Sequence, residues 1–97
     1  MKKKPDYKFN EDKLLAELGD YIDSTYSGHY GQGGIQSSEV ISSRGRGLDF
    51  FLGNIDKYND RYGKKGNSED WRKDLMKIFH YNLLALNEHD NKHRKIK

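Results

Sequence analysis

GLDFFLGNIDKYNDRYG, residues 47–63, reads as one amphipathic helix. The spacing predicts a start near Leu48 or Asp49 and an end at Tyr62, where Gly63 supplies a C-terminal cap and Lys64-Lys65 suit the negative end of the helix dipole. At about 100° per residue, Leu48, Phe51, Leu52, Ile55 and Tyr62 form one apolar arc. Asn54, Lys57, Tyr58 and Arg61 cluster on roughly the opposite side, with Asp56 and Asp60 between them toward solvent.

The neighbouring segments read the same way. Downstream, Asn67 or Ser68 caps a further helix with Glu69 and Asp70 in its first turn, continuing through Trp71, Leu75, Ile78, Phe79 and Leu86. Met76, Tyr81, Leu83 and Leu84 make its middle apolar nearly all round. A four-element domain can hardly cover so wide a stripe, which predicts a homo-oligomer. Upstream, Asn10 caps a helix that carries Leu14, Leu18, Tyr21 and Ile22 at helical spacing and runs to about Tyr26. Ser27-Gly28-His29-Tyr30-Gly31-Gln32-Gly33-Gly34 follows, four glycines in eight positions, and is expected to form a loop. Ser37 or Ser38 caps a short helix through Glu39, Val40 and Ile41 that stops at Gly45. No run alternates apolar and polar β-formers between turn signals. The expected fold is all-α, a small bundle of about four helices with a Gly-rich loop between the first and second. Its expected organisation is a flexible basic N-terminus over 1–9, a single helical domain over 10–88 and a basic C-terminal tail over 89–97.

Composition narrows the chemistry. The chain has 97 residues, 33% of them hydrophobic, with 18 Lys+Arg against 15 Asp+Glu and a net charge of +3. Interleaved charges of both signs describe a solvated surface, so nucleic acid is not the expected partner despite the basic ends. No apolar run reaches membrane-spanning length and Met1-Lys2-Lys3-Lys4 leads into Pro5 and Asp6, so a cytoplasmic protein is expected. With no cysteine, disulfides, thiolate zinc sites and Cys nucleophiles are excluded.

Several residues remain as candidates. The glycine loop can turn backbone N–H groups toward an anion, although neither it nor Gly63-Lys64-Lys65-Gly66-Asn67-Ser68 fits a P-loop, and a plain connector explains it as well. On the polar side of helix 48–62, Lys57 offers a point charge, Arg61 a planar fork, Asn54 a base or sugar contact and Tyr58 a stacking ring. Any surface helix shows a similar face. Glu69, Asp70 and Asp74 offer carboxylates to Mg²⁺ beside a phosphate, or simply complement the helix dipole. His29 is placed to touch a ligand or donate a proton. His89 and His93, one turn apart beside Asp90, have metal-ligand spacing but sit in the basic tail. Arg44-Gly45-Arg46-Gly47 is a single copy of an RGG-like contact and reads better as a helix cap and turn.

Taken in order, His29-Tyr30, Gly34-Ile35-Gln36, Leu48-Asp49-Phe50, Gly53-Asn54, Lys57-Tyr58, Arg61-Tyr62, Lys64-Lys65 and Glu69-Asp70 resemble a small phage family. That family is known as nucleotide-kinase-like or SaV-like, and partly as a domain of unknown function; the likeness covers residues 28–84. It implies a helical, oligomeric phage protein, acting in the host cytoplasm and related to P-loop-free deoxynucleoside monophosphate kinases. Carried over by position, it implies ligand contacts at His29, Tyr30, Asn54, Lys57, Tyr58 and Arg61. Lys57, Arg61 and Asp70 become the catalytic candidates, with Mg²⁺ on Glu69 and Asp70 if the protein is catalytic. The alternative is a non-catalytic protein that sequesters a nucleotide-derived signal or inhibits a host enzyme, in anti-defence or host takeover. Ser37, Trp71 and Asp74 depart from the family pattern, which usually has proline, leucine and alanine at those places.

Overall fold

A computed structural model describes residues 4–27 and 34–94, with side chains in the second segment from Ser38 onward. The described residues form four helices, α1 (Glu11–Ser27), α2 (Gly34–Ser43), α3 (Gly47–Arg61) and α4 (Ser68–His93), and no strand. All-α is therefore the fold class. Most of the expected glycine loop, including His29 and Tyr30, lies outside the described residues. None of the described helices is long and apolar enough to cross a membrane.

Local chemistry sets the ends of these elements. Asn67 caps α4: its side chain accepts from the N–H groups of Glu69 and Asp70 at 3.0 and 3.2 Å, while the Asp70 carboxylate accepts from the Asn67 N–H at 3.0 Å. This is a full capping box, which satisfies otherwise orphaned donors at the helix start. α2 ends where Gly45 takes φ +74°; the Gly45 N–H donates to the Ser42 carbonyl and the Arg46 N–H to that of Ile41. That pairing is a Schellman motif, so Arg44-Gly45-Arg46-Gly47 is a helix cap. Gly63, at φ +81°, follows α3 as expected.

Two boundaries and one cap differ from the sequence reading. α2 begins at Gly34, because Ser37 and Ser38 continue the helix instead of opening it. Asn10 stands at φ 59°, away from the extended backbone of an N-cap, and it is the Glu11 carboxylate that accepts the Phe9 N–H at 2.9 Å. α4 runs on to His93, so residues 89–93 of the expected tail belong to the last helix.

α3 and α4 form an antiparallel hairpin, with Arg61 beside Asp74 near the turn and Gly47 against Glu88 at the far end. α2 packs on α3 and α1 on α4. A side chain at Gly47 would collide with the Glu88 carboxylate, which also accepts from the Ser42 hydroxyl at 2.6 Å. The arc expected on α3 is corrected here. Phe51 and Tyr58 are its buried rings, both packed toward Tyr81 of α4, whereas Leu52 and Tyr62 are exposed. Tyr58 thus belongs to the core face. The reason is the seam at 47, 51, 54, 58 and 61, which alone lets the two rings meet Tyr81 and Arg61 reach Asp74.

The core is thin. Leu18, Phe51, Tyr58 and Ala85 are its buried hydrophobic residues among those described, joined by the buried Asp74 and His80. The radius of gyration is 15.4 Å, against about 13 Å for a compact domain of this length.

Candidate functional site

The site grows from one buried phenol ring. Lys57 and Arg61 flank Tyr58 on α3, and Lys77 reaches it from α4. The Lys57 ammonium lies 4.6 Å from the Tyr58 ring centroid, the Lys77 ammonium 4.9 Å and the Arg61 guanidinium 5.1 Å. All three are within cation–π range, and the negative ring faces draw them together against their mutual repulsion. Tyr81 stacks on the same ring at 6.1 Å and 16°.

Only one of the three cations meets a carboxylate among the described residues. Arg61 donates to Asp74 from Nη2 at 2.8 Å and from Nε at 3.4 Å. The hydrogen bond to Asp74 pushes the Arg61 pKa further up. Asp74 itself is fully buried, so this ion pair ties the two helices together. Lys57 and Lys77 keep their charge uncompensated by any described ion pair.

Beside Tyr58 opens a cavity of about 470 Å³, within the usual range for small-molecule sites. α1 lines it with Tyr21, Ser24 and Thr25, and α4 with Lys77, His80 and Tyr81. The Ser24 and Thr25 hydroxyls each donate to their own helix, to the Tyr21 and Ile22 carbonyls at 2.7 Å. His80 meets Tyr21 edge to face at 5.9 Å. One ammonium in the wall, Lys77, with Lys57 close by on the same ring, two hydroxyls and three phenols suit a ligand with an anionic group and a flat polar body.

Burial lowers the His80 pKa, since the packed site disfavours imidazolium. The unfolded chain therefore binds a proton more readily than the folded one. This histidine's contribution to stability is complete above the unfolded value near 6.5 and is lost as pH falls through that value toward the folded one. Thermal melts should show lower stability at pH 5.5 than at pH 7.5, with a smaller difference in His80→Gln; an unchanged difference removes His80 as its source.

Lys57, Tyr58 and Arg61 do converge, as expected. Tyr58 is the buried support for the cations instead of an exposed stacking ring, and Arg61 is engaged by Asp74. Asn54 is half-buried and spends its amide on the Phe50 carbonyl at 2.9 Å. Asp70 works in the capping box, leaving Glu69, exposed in the same turn, as the freer of the two proposed Mg²⁺ ligands. His89 and His93 stand with ring centroids 4.7 Å apart at the end of α4, away from this cavity. The sequence reading missed Lys77 and His80. A signal existed: Asp74, Lys77, Tyr81 and Glu88 recur at helical spacing, placing ionisable groups where a core stripe belongs.

A family model described as a protein of unknown function, DUF3310, matches residues 24–82, which include the Tyr58 cluster and every residue lining the cavity except Tyr21. No curated protein and no solved structure matches the chain.

Proposed function

The chain belongs to DUF3310, a family of proteins of unknown function, and from the lysines gathered on Tyr58 beside its cavity we propose that it binds a phosphate-bearing nucleotide. The observation that carries this reading is the convergence of Lys57 and Lys77, from two helices, on one ring beside a cavity of about 470 Å³. Their ammonium groups hold the phosphate as point charges. Tyr21 and Tyr81 supply flat walls for the base or sugar, and His80 a polar edge between them. The resemblance to P-loop-free phage deoxynucleoside monophosphate kinases extends the reading to an enzyme of the host cytoplasm. In that case the terminal phosphoryl passes from a donor triphosphate to an acceptor monophosphate, leaving two diphosphates. Positioning and charge neutralisation by Lys57 and Lys77 dominate such a step. Of the two carboxylates expected for Mg²⁺ Glu69 is the freer, and the ion's remaining ligands would come from phosphate oxygens and water.

Binding without turnover is the second reading, and one observation favours it. Arg61 and Asp70, two of the three residues expected to be catalytic, are engaged in an interhelical ion pair and a helix cap. A protein that only sequesters a nucleotide-derived signal needs neither group in motion.

One experiment separates these outcomes. The purified chain is incubated with nucleoside mono- and triphosphates and Mg²⁺, products are separated chromatographically, and binding is measured calorimetrically on the same panel. New diphosphates establish the kinase. Saturable binding with the nucleotide returned unchanged establishes sequestration, and the absence of both binding and turnover overturns the proposal.

A further inference from the structure

α4 carries two stripes at helical spacing, and the more apolar one faces outward. Its packed side presents Asp74, His80, Tyr81, Ala85 and Glu88, whereas Leu75, Phe79, Leu83 and Leu86 on the opposite side are 48, 41, 43 and 56% exposed. At about 200 Å² per large side chain, these four expose roughly 400 Å² of apolar surface in one line. That matches the largest patch on a typical monomer, and such patches mark interaction sites.

We infer that this stripe is the seam of a self-assembly, in which the α4 helices of two copies pack antiparallel about a two-fold axis near Tyr81. Two features select a second copy as the occupant. First, the stripe is self-complementary in that arrangement: Leu75 meets Leu86 of the second copy, and Phe79 meets its Leu83. The same register brings Arg72, at one end of the stripe, to Asp90 of the second copy. Within one chain Arg72 is paired with Glu17 at 2.6 Å and Asp90 with Arg94 at 3.9 Å. The seam joins them into a row of alternating sign, Glu17 and Arg72 from one copy, Asp90 and Arg94 from the other. A parallel pairing would instead oppose like charges at both ends. Second, the area fits the centre of such a seam. Doubled across the axis the stripe contributes roughly 800 Å² of apolar surface, about half of the roughly 1,600 Å² that a standard interface buries in all. Lys77, His80 and Tyr81 project to the other side of α4, so the seam leaves the cavity open and does not depend on the ligand proposed for it.

The test uses the full chain without nucleotide. Light scattering after gel filtration is expected to give an even multiple of the chain mass, and Phe79→Glu and Leu83→Glu, with unchanged helical circular dichroism, at most half of it. The natural chain has no cysteine, so introduced ones report geometry cleanly. Under oxidation Asn82→Cys, near the axis, should cross-link to itself. Asp90→Cys should not, yet should link to Arg72→Cys when the two variants are mixed. A parent chain of single mass, an assembly untouched by both Glu variants, or self-linking of Asp90→Cys as ready as that of Asn82→Cys overturns the seam.

Discussion

Arg61→Ala is expected to lower the melting temperature of this protein by roughly 10–20 °C, more than any other single truncation of a charged residue. The reason is the partner left behind. Asp74 is fully buried on α4 and draws its charge compensation from the Arg61 guanidinium at 2.8 Å. Removing the arginine strands a carboxylate away from water, and a buried charge without a partner costs far more than the pair itself contributes. The complementary double variant isolates this effect. In Arg61→Leu with Asp74→Leu no charge remains to be buried, and most of the lost stability should return. Thermal melts of the parent, single and double variants measure it; a single variant that melts within a few degrees of the parent removes the pair from the stabilising framework. Loss of nucleotide binding in Arg61→Ala alone is thus no sign of ligand contact, because the hairpin carrying Tyr58 loosens with it.

Lys57 and Lys77 give the second large effect, and it is one on binding. Each ammonium should supply a charge-assisted contact to phosphate, so Lys57→Ala and Lys77→Ala should each weaken nucleotide affinity about 10-fold, and the double variant about 100-fold. Reversing both charges with glutamate should abolish binding. Neither lysine is buried or joined to a described carboxylate, so melting temperatures should stay near that of the parent. Lys73→Ala is the matched control, an exposed lysine one turn before Lys77 and outside the cavity. Calorimetric titration of all five proteins decides the matter. Equal losses in Lys73→Ala would mean diffuse attraction by a basic chain, and no loss in the double variant would empty the cavity of its proposed role.

The same two helices show what could be read in advance. The bounds of α3 and the start of α4 were legible because glycines at positive φ, the Asn67 cap and the acidic first turn act within a few residues of themselves. Lys57, Tyr58 and Arg61 were legible as a group because one helix holds them one turn apart. Their roles were not. Tyr58 was read outward because Leu52 and Ile55 weigh more in an apolar arc than a phenol does. Yet α3 turns the phenol inward, where Phe51, Tyr58 and Tyr81 can pack and Arg61 can meet a charge 13 residues away. Lys77 and His80 were hidden for a similar reason: on a helix with leucines at several angles, ionisable residues look like the solvent side.

By itself, then, the sequence determined the all-helical class, three of the four helix starts to within a residue, the glycine-capped ends and the surplus of apolar surface. These follow from hydrogen bonds and backbone conformations that close over three to five residues. Only the tertiary structure decided which face of α3 is core, that Arg61 serves Asp74, and that α4 sends its polar stripe inward to the cavity and its leucines outward. An isolated helix has no inside. Both stripes of α4 satisfy the same helical period, and the choice between them rests on rings and charges that only α1 and α3 bring within reach.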